Sequence, residues 1–161
     1  MKLTLFEYEC KTCGVFFNVP QISQPYAYGE FLLRKKNSSS VRYLNALASR
    51  AYSDVAHELQ IHLDTRGLDE LTRSDILQAI FGIVACDLGM DGEPFCMRLS
   101  PYCAACHSSS STFWRITDPI EFVEIDVPPV TFSVWNGLSD QDRKIKMMQN
   151  LHRYLQTSIV A

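Results

Sequence analysis

Alternation of hydrophobic and polar residues at the start of the chain predicts a pair of β-strands. Residues 3–9 alternate and are rich in β-favouring side chains, which is typical of a strand. Residues 15–19 predict a return strand, which Pro20 should end. Further apolar positions follow at Tyr26, Tyr28, Phe31, Leu32 and Leu33. Residues 21–37 therefore fit either a short strand or a partly ordered arm.

Two stretches with helical periodicity predict an antiparallel helical hairpin in the middle of the chain. Residues 41–63 form the first, which Arg66 and Gly67 should end. Residues 73–86 form the second, with Thr72 or Ser74 as its N-cap. The apolar stripe of the first helix consists of Leu44, Leu47, Ala48, Ala51, Val55 and Leu59. The link between the helices is short, so we expect them to pack side by side.

The last third of the chain predicts strands and then a helix. Residues 113–117 and 120–127 have strand character, and residues 130–135 predict a further strand. Ser139 is a suitable N-cap for a helix over residues 141–156. The chain therefore mixes segregated strands and helices, which is typical of the α+β class.

Two Cys-x-x-Cys pairs, Cys10/Cys13 and Cys103/Cys106, are the strongest chemical signal in the sequence. Four thiolates in two close pairs suit a tetrahedral Zn²⁺ ion, and a closed four-sulfur site stabilises structure without activating water. A disulfide framework is the alternative for a secreted chain, and a thioredoxin-like redox pair is a second alternative. No secretory signal is recognisable, and neither pair precedes a convincing helix, so zinc is favoured.

The segment from Phe6 to Phe17, with Cys10, Cys13 and Gly14 between flanking aromatic residues, resembles the first hairpin of small bacterial zinc-ribbon proteins. The resemblance implies that Cys103 and Cys106 form the second knuckle and that residues 113–117 form the third strand. Two departures are the 89 residues between the knuckles and a histidine, His107, where the second glycine is usual.

The resulting prediction is a single α+β domain over residues 1–161. A small zinc-ribbon β-sheet comes from residues 1–20 and 96–135, and a helical hairpin is inserted at residues 38–95. A C-terminal helix covers residues 139–157. Zn²⁺ is the predicted cofactor, and its ligands are Cys10, Cys13, Cys103 and Cys106.

The remaining cysteines and histidines are weaker candidates for metal binding. Cys86 lies among apolar residues and is expected to be a core thiol, and Cys96 has no partner at knuckle spacing. His107 could replace a ligand or hydrogen-bond a ligating sulfur. His57 and His62 are five residues apart, which places them on different sides of a helix rather than at the spacing of a metalloprotease motif.

The distribution of charge leads to the first functional hypothesis. The net charge is −3, and residues 41–95 contain nine acidic and four basic residues. An acidic surface favours association with a basic protein. The chain therefore has the character of a non-enzymatic binding module, such as a bacterial immunity or inhibitor protein that masks a basic toxin or nuclease. The candidate partner-binding residues are Asp64, Asp69, Glu70, Asp87, Asp91 and Glu93.

Binding of nucleic acid is the alternative hypothesis, because zinc ribbons commonly bind it and the chain has local basic groups. These groups are Lys11, Arg34, Lys35, Lys36, Arg143, Lys144, Lys146 and Arg153. The overall acidity opposes this alternative. No constellation of catalytic residues is apparent, so we do not expect an enzyme. The absence of a long apolar run and of a signal peptide predicts a cytoplasmic protein without a membrane span.

Overall fold

The computed structural model describes residues 1–23, 28–62 and 64–159 and has the α+β fold predicted from the sequence. The chain divides into two compact units. The first unit combines Met1–Asn45 with Arg98–Pro129, and the second combines Ala46–Met97 with Val130–Ala161. That both units belong to one domain stays a prediction. Tyr26 and Leu63, which the sequence patterns included, lie outside the described residues.

The first unit is built around a long strand, β1 (Lys2–Cys10). This strand lies between β2 (Phe16–Gln21) and β5 (Ser111–Ile116), and its beginning also pairs with β6 (Phe122–Glu124). All of these pairings are antiparallel. Contrary to the prediction, Pro20 does not end β2, because it pairs with Leu5 in an edge strand where a missing N–H is tolerated.

A second hairpin in the same unit corrects the predicted start of the helical insertion. Strands β3 (Glu30–Arg34) and β4 (Val41–Asn45) pair antiparallel, so residues 41–45 are extended and not helical. Val41 and Tyr43 have the β-branched and aromatic side chains that suit a paired strand, and this pairing overrides the helical spacing of Leu44. Leu3, Leu32 and Val127 form a buried apolar cluster in this unit.

The second unit is helical, with α2 (Glu70–Ala85) in contact with both α1 (Arg50–Ile61) and α4 (Asp140–Ile159). Each of these helices has a side-chain N-cap. Ser49 Oγ accepts the N–H of Tyr52, Asp69 accepts that of Thr72, and Ser139 Oγ accepts that of Asp142. The second helix thus begins before the predicted Thr72 or Ser74 cap. The predicted Ser139 cap is confirmed. Buried residues of this unit include Val55, Leu59, Ile80, Phe81, Trp135, Met147 and Leu151.

Residues 130–135 do not form the predicted strand, so the zinc-ribbon segment predicted over residues 96–135 is too long at its C-terminal end. Residues 130–132 lead into a short helix, α3 (Ser133–Gly137), which belongs to the second unit. The Asp87 carboxylate accepts the N–H groups of Ser133 and Val134 at 2.8 and 2.9 Å. These bonds satisfy the first amides of a helix and favour α3 over an extended strand.

Over the described part of the chain, no helix has both the length and the apolar character required to cross a membrane.

Candidate metal centre

The first Cys-x-x-Cys pair lies in a tight turn between β1 and β2. The N–H of Cys10 donates to the carbonyl of Val15 at 3.0 Å, and the N–H of Gly14 donates back to the carbonyl of Cys10 at 2.8 Å. Gly14 has φ +71°, a left-handed conformation that glycine adopts without steric strain. This geometry presents both thiols of the turn on one side.

The second pair repeats this geometry residue by residue. The N–H of Cys103 donates to the carbonyl of Ser108 at 2.8 Å, and the N–H of His107 donates to the carbonyl of Cys103 at 2.9 Å. His107 occupies the position of Gly14 and has φ +61°. The chain therefore forms the same turn without a glycine. Histidine is among the few non-glycine residues found repeatedly in this conformation.

The two turns bring the four sulfur atoms together. The Sγ atoms of Cys10 and Cys106 are 3.4 Å apart, and those of Cys13 and Cys103 are 3.8 Å apart. All four Sγ atoms lie within 4.8 Å of one another. Cys10 and Cys103 are buried, Cys106 is half-buried and Cys13 is exposed. The pairing of β1 with β5, which ends at Cys10 and Ser111, brings the two distant segments together.

Backbone amides are directed at the sulfurs. Burial raises the pKa of Cys10, but hydrogen bonds from the N–H groups of Cys13 and Thr12 outweigh it and lower that pKa to about 6. The N–H of Ser108 lowers the pKa of Cys106, whereas burial and its hydrogen bonds to the other three thiols raise it to about 12. Metal ligands of this kind bind as thiolates, so a divalent cation at this position would displace the protons of the thiols.

The donor set fits a tetrahedral Zn²⁺ ion. Zn–S bonds of about 2.3 Å in a tetrahedron place the sulfurs about 3.8 Å apart, which is close to the 3.4 and 3.8 Å of two sulfur pairs, and all the sulfurs lie within 4.8 Å of one another. The six cysteines are all free thiols. A four-sulfur set of this kind would complete the coordination shell, so the bound ion would stabilise the turns rather than react with substrate.

Other candidate ligands do not join this cluster. His107 forms a hydrogen bond between its Nδ1 and the hydroxyl of Tyr102, and Cys96 lies in the second unit. Cys86 is buried, and burial raises its pKa to about 12, so it is a core thiol as expected. Within the described residues, the group able to hold a metal consists of Cys10, Cys13, Cys103 and Cys106.

The histidines of α1 have other surroundings. His62 forms the C-cap of α1, and its Nδ1 accepts the N–H of Asp64. His57 lies five residues earlier beside a polar cavity that Asp54 and Arg143 also line. The predicted separation of the two histidines around the helix agrees with these different neighbours.

The six predicted partner-binding carboxylates have different surroundings. Asp69 caps α2, and hydrogen bonds from the hydroxyl and N–H of Thr72 lower its pKa. Asp87 is half-buried and holds α3. Asp91 accepts the N–H of Glu93 within its own turn. The five exposed members of the group are Asp64, Asp69, Glu70, Asp91 and Glu93.

The basic groups of the alternative hypothesis are not equally accessible either. Arg34 and Lys35 are buried, whereas Lys11 and Lys36 are exposed. An aromatic surface on the first unit was not anticipated from the sequence. The exposed rings of Phe16 and Trp114 lie 5.3 Å apart, and Phe113 is also exposed. The alternating aromatic residues of the predicted strands were the sequence signal for this surface. That pattern does not predict which face of the sheet remains exposed to solvent.

Comparison of the chain with models of protein families, with curated proteins and with solved structures finds no match in any of the three.

Proposed function

We propose that this protein is a non-enzymatic binding module of the zinc-ribbon type, in which a structural Zn²⁺ ion is held by Cys10, Cys13, Cys103 and Cys106. The observation that carries the proposal is the convergence of four sulfurs from two equivalent turns. Amide hydrogen bonds to the sulfurs support it further, because they stabilise thiolate ligands without blocking the position of the ion.

The metal assignment is tested by elemental analysis of the purified full-length chain. We expect about one equivalent of zinc per chain and its loss in Cys103→Ser. Cys96→Ser is the matched control, because Cys96 lies outside the sulfur cluster and should leave the zinc content unchanged. Equal zinc content in both variants would contradict the ligand assignment.

The proposed partner of the module is a basic protein, as a bacterial immunity or inhibitor protein would require. The second unit contains seven basic and eleven acidic residues, a net charge of −4. Exposed carboxylates accelerate association with a basic surface and disfavour acidic partners. Glu70 and Glu93 are exposed and do not cap a helix, so they are better probes of this surface than Asp69 or Asp87.

The test of this partner compares two charge reversals of equal size. Glu70→Lys with Glu93→Lys changes the second unit, whereas Glu121→Lys with Glu124→Lys changes exposed carboxylates of the first unit. We expect the wild-type chain and the Glu121/Glu124 control to retain one stoichiometric basic protein from native lysate, identified by mass spectrometry. The Glu70/Glu93 variant should associate with that protein about tenfold more slowly. Equal association rates would remove this surface from the proposal.

Nucleic-acid binding is retained as the second candidate because of the aromatic surface. The exposed rings of Phe16 and Trp114 pack against each other on the ribbon sheet, and bases stack on such rings. Glu7 and Glu9 lie in the same sheet and oppose this function. Fluorescence anisotropy with a labelled single-stranded oligonucleotide tests it. Salt-dependent binding that is lost in Trp114→Ala and kept in the control Leu71→Ala, at an exposed residue of the second unit, would favour this candidate over the protein-binding one.

A further inference from the structure

The first unit contains an apolar cavity of about 420 Å³, a size typical of small-molecule sites. The sheet and the β3–β4 hairpin both line it. Leu3 and Val19 come from the sheet strands, and Leu32 and Val41 come from the hairpin. Ile125, which follows β6, adds another apolar side chain to the cavity wall. The cavity lies entirely within the first unit, and Tyr102 and Ala104 of the second cysteine turn also border it.

One charged side chain faces this apolar space. Arg34 lines the cavity and is only 7% exposed. It follows Leu32 by two residues in β3, and alternation along a strand places both side chains on the same face. The fold therefore places a guanidinium group against a wall that is otherwise mainly apolar.

The guanidinium of Arg34 has little compensation for its burial. Among the described residues it donates one hydrogen bond, from Nη2 to the carbonyl of Pro20 at 3.4 Å, and it forms no ion pair. Burial lowers the pKa of Arg34, and this effect outweighs the opposing influence of the nearby Tyr8. A guanidinium has five N–H donors, and a buried charge without a counter-ion is strongly destabilising. An anion in the cavity would supply a counter-charge and further hydrogen-bond acceptors.

We propose that this cavity binds a small amphiphilic carboxylate, with its head group on Arg34 and its apolar body against Leu3, Leu32 and Val41. A carboxylate matches the planar fork of arginine and forms two parallel hydrogen bonds with it. Its single negative charge neutralises the one cation, whereas a phosphate monoester would bury an excess charge. The proposal does not depend on the identity of the protein partner.

Decanoate is the probe, added below its micellar concentration to the zinc-loaded full-length chain in isothermal titration calorimetry. Decanol has the same chain without the charge and should bind at least about tenfold more weakly. Arg34→Met keeps the length of the side chain and removes the charge, so it should weaken decanoate binding at least about tenfold. Arg115→Met is the matched control, because Arg115 is an exposed arginine of the same unit that pairs with Glu7 outside the cavity. Its affinity for decanoate should equal that of the wild type.

Methyl NMR of the wild-type chain provides a test that does not depend on the folding of a variant. Decanoate should shift the methyl signals of Leu3, Leu32 and Val41, and leave those of the exposed Leu71 and Leu88 in the second unit unchanged. Equal decanoate affinity in the wild type and in a folded Arg34→Met would overturn the proposal. Methyl shifts confined to residues outside the cavity would overturn it too, as would the absence of saturable binding for decanoate and for its octanoate and dodecanoate homologues.

Discussion

In the first unit, four sulfur atoms from two distant turns converge, and Leu3, Leu32 and Val127 form a small apolar cluster. In the second unit, helices with side-chain caps bury large residues such as Phe81 and Trp135. Burying side chains of that size contributes several kcal/mol without any ligand. With the proposed metal bound, the first unit would concentrate its stabilisation at one ion, whereas the second distributes it over many contacts.

This difference has a practical consequence for experiments on the intact chain. Each unit contains one of the two tryptophans, the exposed Trp114 in the first and the buried Trp135 in the second. In a Trp114→Phe background, fluorescence therefore reports on the second unit alone. The zinc content and the NMR signals of the β1 amides report on the first unit.

Loss of the metal should have the largest effect and should be confined to the first unit. Zinc binding to small structural sites is worth on the order of 10 kcal/mol, so Cys103→Ser should disorder both turns and the adjoining end of β1. In the Trp114→Phe background, we expect the Trp135 emission and the helical circular dichroism to be retained. Cys96→Ser should change neither the β1 amide signals nor the Trp135 emission. Loss of the helical signal together with zinc would show that the two units unfold as one.

Removing a large core side chain should have the converse effect. Phe81 is fully buried, and its ring contacts those of Tyr52 and Phe132 at 5.0 and 6.1 Å. Phe81→Ala should destabilise the second unit by about 3–5 kcal/mol in urea unfolding followed by Trp135 fluorescence. The zinc content should remain that of the wild type. Leu71→Ala, at an exposed position of α2, is the control and should cost less than about 0.5 kcal/mol.

A close backbone approach provides a smaller and more specific test of packing in the second unit. A Cβ atom at Gly82 in α2 would lie 1.7 Å from the carbonyl oxygen of Phe95. Gly82→Ala should therefore destabilise this unit by about 1–3 kcal/mol, although alanine is the better helix former. At Gly67 a Cβ atom would meet no heavy atom within 4 Å, so Gly67→Ala should be close to neutral. A stable Gly82→Ala variant would mean that residues 95 and 96 can move away from α2.

The same two units also differ in how far local sequence patterns predicted them. The helices were anticipated because their apolar spacing and caps are local, and Ser139 was identified correctly as the cap of α4. The sulfur cluster was anticipated because the spacing within each cysteine pair is a property of a single turn. The strand pairing that joins the two turns is long-range, and only the resemblance to zinc ribbons implied a third strand at residues 113–117.

The errors occurred where tertiary contacts decide between two local possibilities. Residues 41–45 have helical spacing but pair with β3, and residues 130–135 have strand-like residues but follow the hydrogen bonds of Asp87 into α3. The cavity at Arg34 and the left-handed turn at His107 also depend on neighbours that are distant in sequence or on backbone geometry. Residue type alone does not reveal a buried arginine without a carboxylate partner.

Asp87 allows the smallest predicted effect to be tested through pH. Its burial raises its pKa, but the N–H groups of Val134 and Ser133 and the hydroxyl of Thr131 outweigh this and lower the pKa to about 2. A carboxylate with a depressed pKa stabilises the folded state fully above its unfolded value, about 3.9, and loses that contribution as the pH falls towards 2. Asp87→Asn should therefore cost about 1 kcal/mol at pH 7, measured by urea unfolding with Trp135 fluorescence.

The difference between Asp87→Asn and the wild type should shrink as the pH falls from 4 to 2, because protonation removes the same charge from the wild-type side chain. Asp91→Asn is the matched control, since Asp91 is exposed and its turn lies outside α3. A pH-independent difference at position 87 would mean that the side chain acts by shape rather than by charge. A difference that follows pH would show that the second unit depends, at the start of α3, on one ionised group.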